Sequence, residues 1–216
     1  MKLYGNNFSF NSNKIRFVLN YLGLDHEFQA VDLAAGEQRK ESFLKLNPIG
    51  KVPVLVDGDY NLAESNAIIR YLAEKKNSAL YPADLKKRSI VNQWLDFGSI
   101  HMGIAVGKIF FNTFVYKMVN APKDETSLND GRNFLTNYLK VVDAQLKQGQ
   151  YICGNEITLA DFTILSVLDP CEALGFDLSS YPNVVAWRKK LQAQSFYQKV
   201  YTSYTDYVNS ILGAKT

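Results

Sequence analysis

Ser9 and Ser12 stand three residues apart in the run Ser9-Phe10-Asn11-Ser12, the spacing that C-x-x-C has in dithiol motifs. With no cysteine at either position, protein-based dithiol chemistry is excluded there. What remains is a set of hydrogen-bond donors at the start of a helix, where donor and helix dipole both favour an anion. Ser and Asn are also favoured caps, so Ser12 or Asn11 capping that helix is the structural alternative. Ser9 lies further from the helical pattern, free to meet a ligand or to serve a turn. Two other dipeptides carry chemistry. Val52 precedes Pro53 and is biased toward an extended backbone, with a turn proline ahead of a strand as the structural alternative. Glu64 and Ser65 sit where a strand hands over to a helix. There a hydroxyl and the first free amides can receive a carboxylate, and Glu64 can accept from an ammonium group; helix capping by one of the two is compatible with this.

The elements that must position these residues follow from periodicity. Lys2 to Gly5 reads as a strand, and Ile15, Val18, Leu19 and Leu22 recur at helical spacing up to Gly23, a left-handed cap. Glu27 to Leu33 is extended, Asp57-Gly58 marks a tight hairpin, and Ile68, Tyr71 and Leu72 mark a further helix. The order βαβ then ββα predicts a small mixed sheet with a thioredoxin-like layout over residues 1–77. Beyond the breaker Asn77 to Pro82, strand signals end and an all-helical domain is expected over 84–216. Its helices run from about Asp84 to Val119 and from Asp124 to Lys147, with Pro122 between. Thr158 and Asp161, with Ile157 before them, form a capping box for a buried helix, a structural role. The tail from Phe196 to Leu212 carries tyrosines at roughly helical spacing and should pack back onto the protein.

Composition bounds the partners. The chain has 216 residues, 47% of them hydrophobic, with thirteen Tyr, thirteen Phe and two Trp, enough for a large core. A formal charge of +3 in scattered pairs such as Lys75-Lys76 and Lys189-Lys190 argues against nucleic acid. Cys153 and Cys171 have no C-x-x-C partner, and His26 and His101 stand apart from them, so neither a disulfide framework nor a metal site is indicated. The most apolar stretch, Ile104 to Val119, is broken by Lys108, Asn112 and Lys117, which excludes a membrane span there. No signal peptide is visible, and the cytoplasm is the expected compartment.

The block Asn47-Pro48-Ile49-Gly50-Lys51-Val52-Pro53-Val54-Leu55, followed by Glu64-Ser65-Asn66-Ala67-Ile68-Ile69-Arg70-Tyr71-Leu72, resembles the signature of cytosolic glutathione S-transferases. Gly154-Asn155-Glu156-Ile157-Thr158-Leu159-Ala160-Asp161 resembles the helix nucleus of that family's second domain, so the likeness covers nearly the whole chain. It implies a thioredoxin-like domain followed by a helical one, a homodimer, and glutathione as co-substrate with no metal or other cofactor. It further implies a cis Val52-Pro53 bond whose backbone pairs with the cysteinyl unit of glutathione, and a γ-glutamyl end held by Glu64 and Ser65. The glycine carboxylate falls to Gln38, Arg39 and Lys51, of which Arg39 and Lys51 are the stronger donors.

Activating glutathione means ionising a thiol of pKa about 8.5; lowering it two units takes about 2.7 kcal/mol of thiolate stabilisation. Serine-type transferases of the bacterial, phi and theta-like kinds place their activating hydroxyl at the position matching Ser9. Asn11-Ser12-Asn13-Lys14-Ile15 also resembles a bacterial loop in which Asn11 would be a second donor. Tyr4 is turned elsewhere by strand alternation. The second substrate, a small hydrophobic electrophile, would need an apolar pocket. The helical domain can line one with Ile100, His101, Ile104, Phe111 and Tyr116, residues that core packing would otherwise claim. The expected reaction is conjugation of the glutathione thiolate to that electrophile. Glutathione-dependent disulfide or peroxide reduction is the alternative enzyme, and a transferase-like interaction module the non-catalytic one.

Overall fold

In the computed structural model, which describes residues 1–213, Leu3 of the first strand and Leu55 of the third are fully buried side by side, and a four-stranded sheet grows around them. The strands are β1 (Lys2–Gly5), β2 (Glu27–Ala30), β3 (Val54–Asp57) and β4 (Tyr60–Ala63), in the spatial order β2-β1-β3-β4. β1 pairs parallel with β2, and β3 pairs antiparallel with both β1 and β4. The crossover from β1 to β2 is helix α1 (Phe10–Tyr21), ended as expected by Gly23 at φ 60°. A short helix α2 (Glu41–Leu44) follows a 3-10 turn at Glu37–Arg39, and α3 (Ser65–Lys75) follows the hairpin. This is the thioredoxin-like arrangement that the strand and helix order predicts. α2 is the element that the periodicity does not reveal, because four residues are too short to show a helical repeat.

The chain divides into two compact units. The first comprises Met1–Pro82 together with Gln194–Thr202, a segment the sequence places with the helical domain. Aromatic packing explains its return. Phe196 and Tyr197, in the short helix 195–198, set their rings 5.9 and 5.1 Å from that of Phe17 on α1, and Phe196 also meets Tyr21 at 5.8 Å. Burying two such rings outweighs the cost of leaving the helical part of the chain.

The second unit, Ala83–Ala193 and the chain from Ser203 onward, is helical throughout its described residues apart from one isolated bridge between Tyr151 and Gly154. A helical run made of α4 (Leu85–Asp96), α5 (Gly103–Phe110) and α6 (Tyr116–Met118) is interrupted by wider π turns at Phe97–Met102 and Phe111–Val115. Then come α7 (Glu125–Leu146), α8 (Leu159–Leu168), α9 (Pro182–Gln192), α10 (Ser195–Gln198, which belongs to the first unit) and α11 (Tyr204–Gly213). The expected tail helix is thus two helices shared between the units. Residues 214–216, the end of the expected helical domain, lie outside the described residues.

Every residue of α8 is buried, and its entry depends on Asp161. That carboxylate is 0% exposed and accepts from Thr158 N (2.8 Å), Thr158 Oγ1 (3.2 Å), Ile152 N (2.9 Å) and Trp187 Nε1 (3.0 Å). Burial pushes its pKa up to about 6, while the four donors pull it down. The box read from Thr158 and Asp161 therefore does more than end a helix: it ties α8 to α9 and to the preceding loop. Asp161→Asn retains the shape but faces those donors with an amide NH2. A loss of about 3 kcal/mol is expected, measurable by urea unfolding followed through Trp94 and Trp187, both in this unit. A loss below about 1 kcal/mol would show that the network is not what holds the unit.

Candidate functional site

The loop from β1 into α1 can be short because residue 5 is glycine. A Cβ there would lie 2.9 Å from a Phe28 ring carbon and 3.0 Å from both Cβ and Oγ of Ser12, so only a bare backbone lets α1 begin so close to the strand. Asparagines then hold the loop. Asn6 donates from Nδ2 to Val31 O (3.1 Å) and accepts from Phe8 N (2.9 Å); Asn13 donates to Asn7 O (2.7 Å). Arg16 Nη1 donates to Oδ1 of both Asn7 (2.9 Å) and Asn13 (3.1 Å).

This scaffold sorts the three candidate activating residues. Ser9 is the N-cap of α1, with extended backbone and an Oγ that accepts from Ser12 N at 3.3 Å. Its own hydroxyl proton has no acceptor among the described residues. Capping was expected of Ser12 or Asn11; the hydrogen bond to Ser12 N gives that position to Ser9 instead. Ser12 is 0% exposed, packed against Gly5, and its Oγ accepts from Asn6 N at 3.2 Å, so its hydroxyl belongs to the protein interior. Asn11 accepts from Ser65 Oγ at 3.1 Å, which joins the first candidate cluster directly to the γ-glutamyl one.

At that second cluster, Glu64 has φ 66° and ψ 108°, a backbone state that non-glycine residues rarely adopt and that costs roughly 1–3 kcal/mol. It is exposed, and its side chain makes no cap bond, so α3 opens without a side-chain cap over its first-turn amides. Such an end attracts anions. Below it, Lys14 on α1 is 1% exposed and donates to Asn66 Oδ1 at 2.6 Å. Burial, and then Arg70, lower the Lys14 pKa to about 7, while Glu64 raises it.

The third cluster is a turn. The Val52-Pro53 bond is cis, and the Val52 N–H and C=O have no hydrogen-bond partner among the described residues. Buried Asn47 shapes the approach by donating to Lys51 O (2.8 Å) and accepting from Ile49 N (3.2 Å). Gly50 sits at φ 66° with its missing Cβ only 3.1 Å from Gln38 O, so this turn and the 3-10 turn of Gln38 and Arg39 press together. Gln38 Oε1 is buried without a partner. Arg39 and Lys51 are exposed, and neither has an ion-pair partner among the described residues. The first unit thus carries, on elements that leave one sheet, an unengaged hydroxyl proton, an uncapped helix end beside a carboxylate, a free stretch of extended backbone and two free cations.

Tyr4 turns to the other side, where its ring meets Phe43 edge-on at 6.4 Å beside Val31 and Val54. In the second unit Ile100 (56% exposed), Ile104 (54%) and Phe111 (41%) stand out of the core that their spacing allows, as does His101, whose ring lies against Phe97 and Tyr138. Tyr116 is half-buried. The thiols of Cys153 and Cys171 are pushed up to about 11 and about 12 by burial, far from a reactive thiolate. No group among the described residues could hold a metal ion, and none of their helices is long and apolar enough to cross a membrane.

Sequence reasoning missed Asn6, Asn13, Lys14, Asn47 and Asn66 as parts of this site. A signal existed for Lys14, which lies four residues before Val18 and so on the apolar face of α1.

Known proteins share this arrangement. Residues 1–74 match the family model described as glutathione S-transferase, N-terminal domain, and residues 106–195 match the corresponding C-terminal domain. A probable glutathione S-transferase of Oryza sativa subsp. japonica is 35% identical over 207 residues, covering 93% of this chain and 95% of its own. The structure of a glutathione S-transferase-I bound with lactoylglutathione superposes with a TM-score of 0.82 at 31% identity, covering 92% of this chain and 97% of that one. A delta-class glutathione transferase of Nilaparvata lugens gives 0.83 at 32%, covering 100% and 99%. With both domain models matched in order and relatives aligned along almost their full length, the chain belongs to the cytosolic glutathione S-transferase family.

Proposed function

We propose that the first unit binds glutathione in one extended pose and that Ser9 activates its thiol for conjugation. The γ-glutamyl carboxylate takes the uncapped start of α3 with Ser65, and Glu64 receives the ammonium group. The cysteinyl unit pairs with the backbone of Val52, ahead of Pro53, and the glycine carboxylate meets Arg39 and Lys51, with Gln38 beside them. One observation carries the catalytic assignment: Ser9 Oγ already accepts a bond from Ser12 N, so its proton is left to donate, at the positive end of α1. A hydroxyl placed there stabilises a thiolate by a charge-assisted hydrogen bond without itself becoming a nucleophile.

The reaction balances without another cofactor. The thiol proton leaves to solvent, the thiolate sulfur forms a carbon–sulfur bond with the electrophile, and the leaving group departs with the electron pair of its bond. The protein contributes ionisation and proximity. The second substrate, a small apolar electrophile, is assigned to apolar side chains of the second unit, of which Ile100, Ile104 and Phe111 are exposed. Reduction of disulfides or peroxides would have to run on bound glutathione alone, since Cys153 and Cys171 both belong to the second unit and are held as thiols. The same reading has the chain act as a homodimer in the cytoplasm.

Ser9→Ala removes both the donor and a helix cap. With chlorodinitrobenzene as electrophile, kcat at pH 7 should fall about 25-fold, the loss of thiolate when the thiol pKa rises from about 6.5 to about 8.5, while KM for glutathione changes by less than about threefold. Activity should recover toward alkaline pH, and loss of the cap should lower stability by about 1 kcal/mol. An unchanged kcat would remove Ser9 from the mechanism. Asn11→Ala frees Ser65, so it should act mainly on KM for glutathione; a collapse of kcat at constant KM would transfer the activating role to Asn11.

A further inference from the structure

Lys14 is a charged residue with almost no solvent contact, on the face of α1 that packs against α3. A buried ammonium is costly unless its surroundings stabilise it, yet among the described residues its hydrogen bond goes to Asn66 Oδ1 alone, at 2.6 Å. That length lies at the short, charge-assisted end of the range. Asn11, one turn earlier on α1, holds Ser65 at 3.1 Å. Two successive residues at the start of α3 are therefore clamped by two residues three apart on α1, directly after the strained Glu64.

We propose that Lys14 is a positioning residue of the glutathione site, whose buried ammonium fixes the first turn of α3 through Asn66 and so sets where Glu64 and Ser65 stand for the γ-glutamyl end. This rests on the binding pose above. The charged groups that act on Lys14 from the α3 side are Glu64, which favours the ammonium, and Arg70, which opposes it. On its own helix Arg16 is engaged with Asn7 and Asn13. A carboxylate arriving at the start of α3 adds negative charge and shifts the balance toward the ammonium. Lys14 is held at a pKa of about 7 in the free protein, so the clamp is fully charged below neutrality and weakens as pH rises. Ligand binding then takes up a proton near pH 7.

The test uses S-methylglutathione, which has no thiol to titrate, with the full-length chain and binding measured calorimetrically from pH 6 to 7.5, below the pKa of the ligand's own amino group. In the unaltered protein the Kd should rise with pH through this range. Lys14→Met should raise the Kd at pH 6.5 about tenfold and flatten the pH dependence. Lys14→Arg, which keeps its charge throughout, should restore affinity and also remain flat. In turnover with glutathione, Lys14→Met should raise KM while leaving kcat at saturation within about twofold. Asn66→Ala breaks the clamp from the other side and serves if Lys14→Met fails to fold. It should weaken binding similarly, and in the double variant the losses should not add. Equal Kd in Lys14→Met and the unaltered protein, or the same pH slope in Lys14→Arg, overturns the role of Lys14. No binding of S-methylglutathione by the unaltered protein overturns the pose itself.

Discussion

The bond between Asn11 and Ser65 joins the N-terminal ends of two helices, and this convergence shapes the rest of the first unit. Each helix N-terminus carries roughly half a positive charge from its unpaired amides. Bringing two of them together and placing the Lys14 ammonium on the same seam concentrates positive potential on one spot. Without an anion that arrangement is repulsive. In the proposed pose, a ligand with a carboxylate at one end and an ionisable thiol further along would relieve it at both helices, favouring the ionised thiol as well as the bound tripeptide.

Holding this arrangement requires the protein to tolerate local cost. Glu64 adopts a backbone state that an L-residue avoids, Gln38 leaves a buried oxygen unmatched, and Lys14 keeps an amine out of water. These three departures lie at or beside the residues assigned to glutathione, while in the second unit the buried Asp161 carboxylate is met by four donors. Local cost concentrated at the residues assigned to a ligand is what a site held ready for binding would produce.

The sheet, the long helices and the capping box were legible because they rest on periodicity and on short-range rules. The Val54 to Ala63 hairpin announced itself through Asp57-Gly58, and Gly23 ended α1 as its φ of 60° requires. The cis Val52-Pro53 turn and the start of α3 were legible through a resemblance spread along the chain. What escaped was long-range. Nothing local tells that residues 194–202 cross back to α1, since the reason is the ring of Phe17 some 180 positions earlier. Nor does spacing reveal that Asn13 and Asn47 act by gripping carbonyls and side chains of loops. A buried asparagine and a solvated one look alike in sequence, and only the fold decides which carbonyl comes within reach.

The two serines show how far spacing alone can carry an argument. Ser9 and Ser12 have the separation of a dithiol pair, which treats both as facing a substrate. On a helix start that separation puts one residue at the N-cap and the other at N3, and the two positions differ physically. The N-cap side chain folds over the helix end, toward whatever approaches it. The N3 side chain lies one turn in, and here the absence of a Cβ at Gly5 draws it against β1, where Asn6 N donates to its hydroxyl. The pair is thus asymmetric by construction: one hydroxyl completes the scaffold so that the other, accepting from the backbone amide of its partner, is left with a single proton to give.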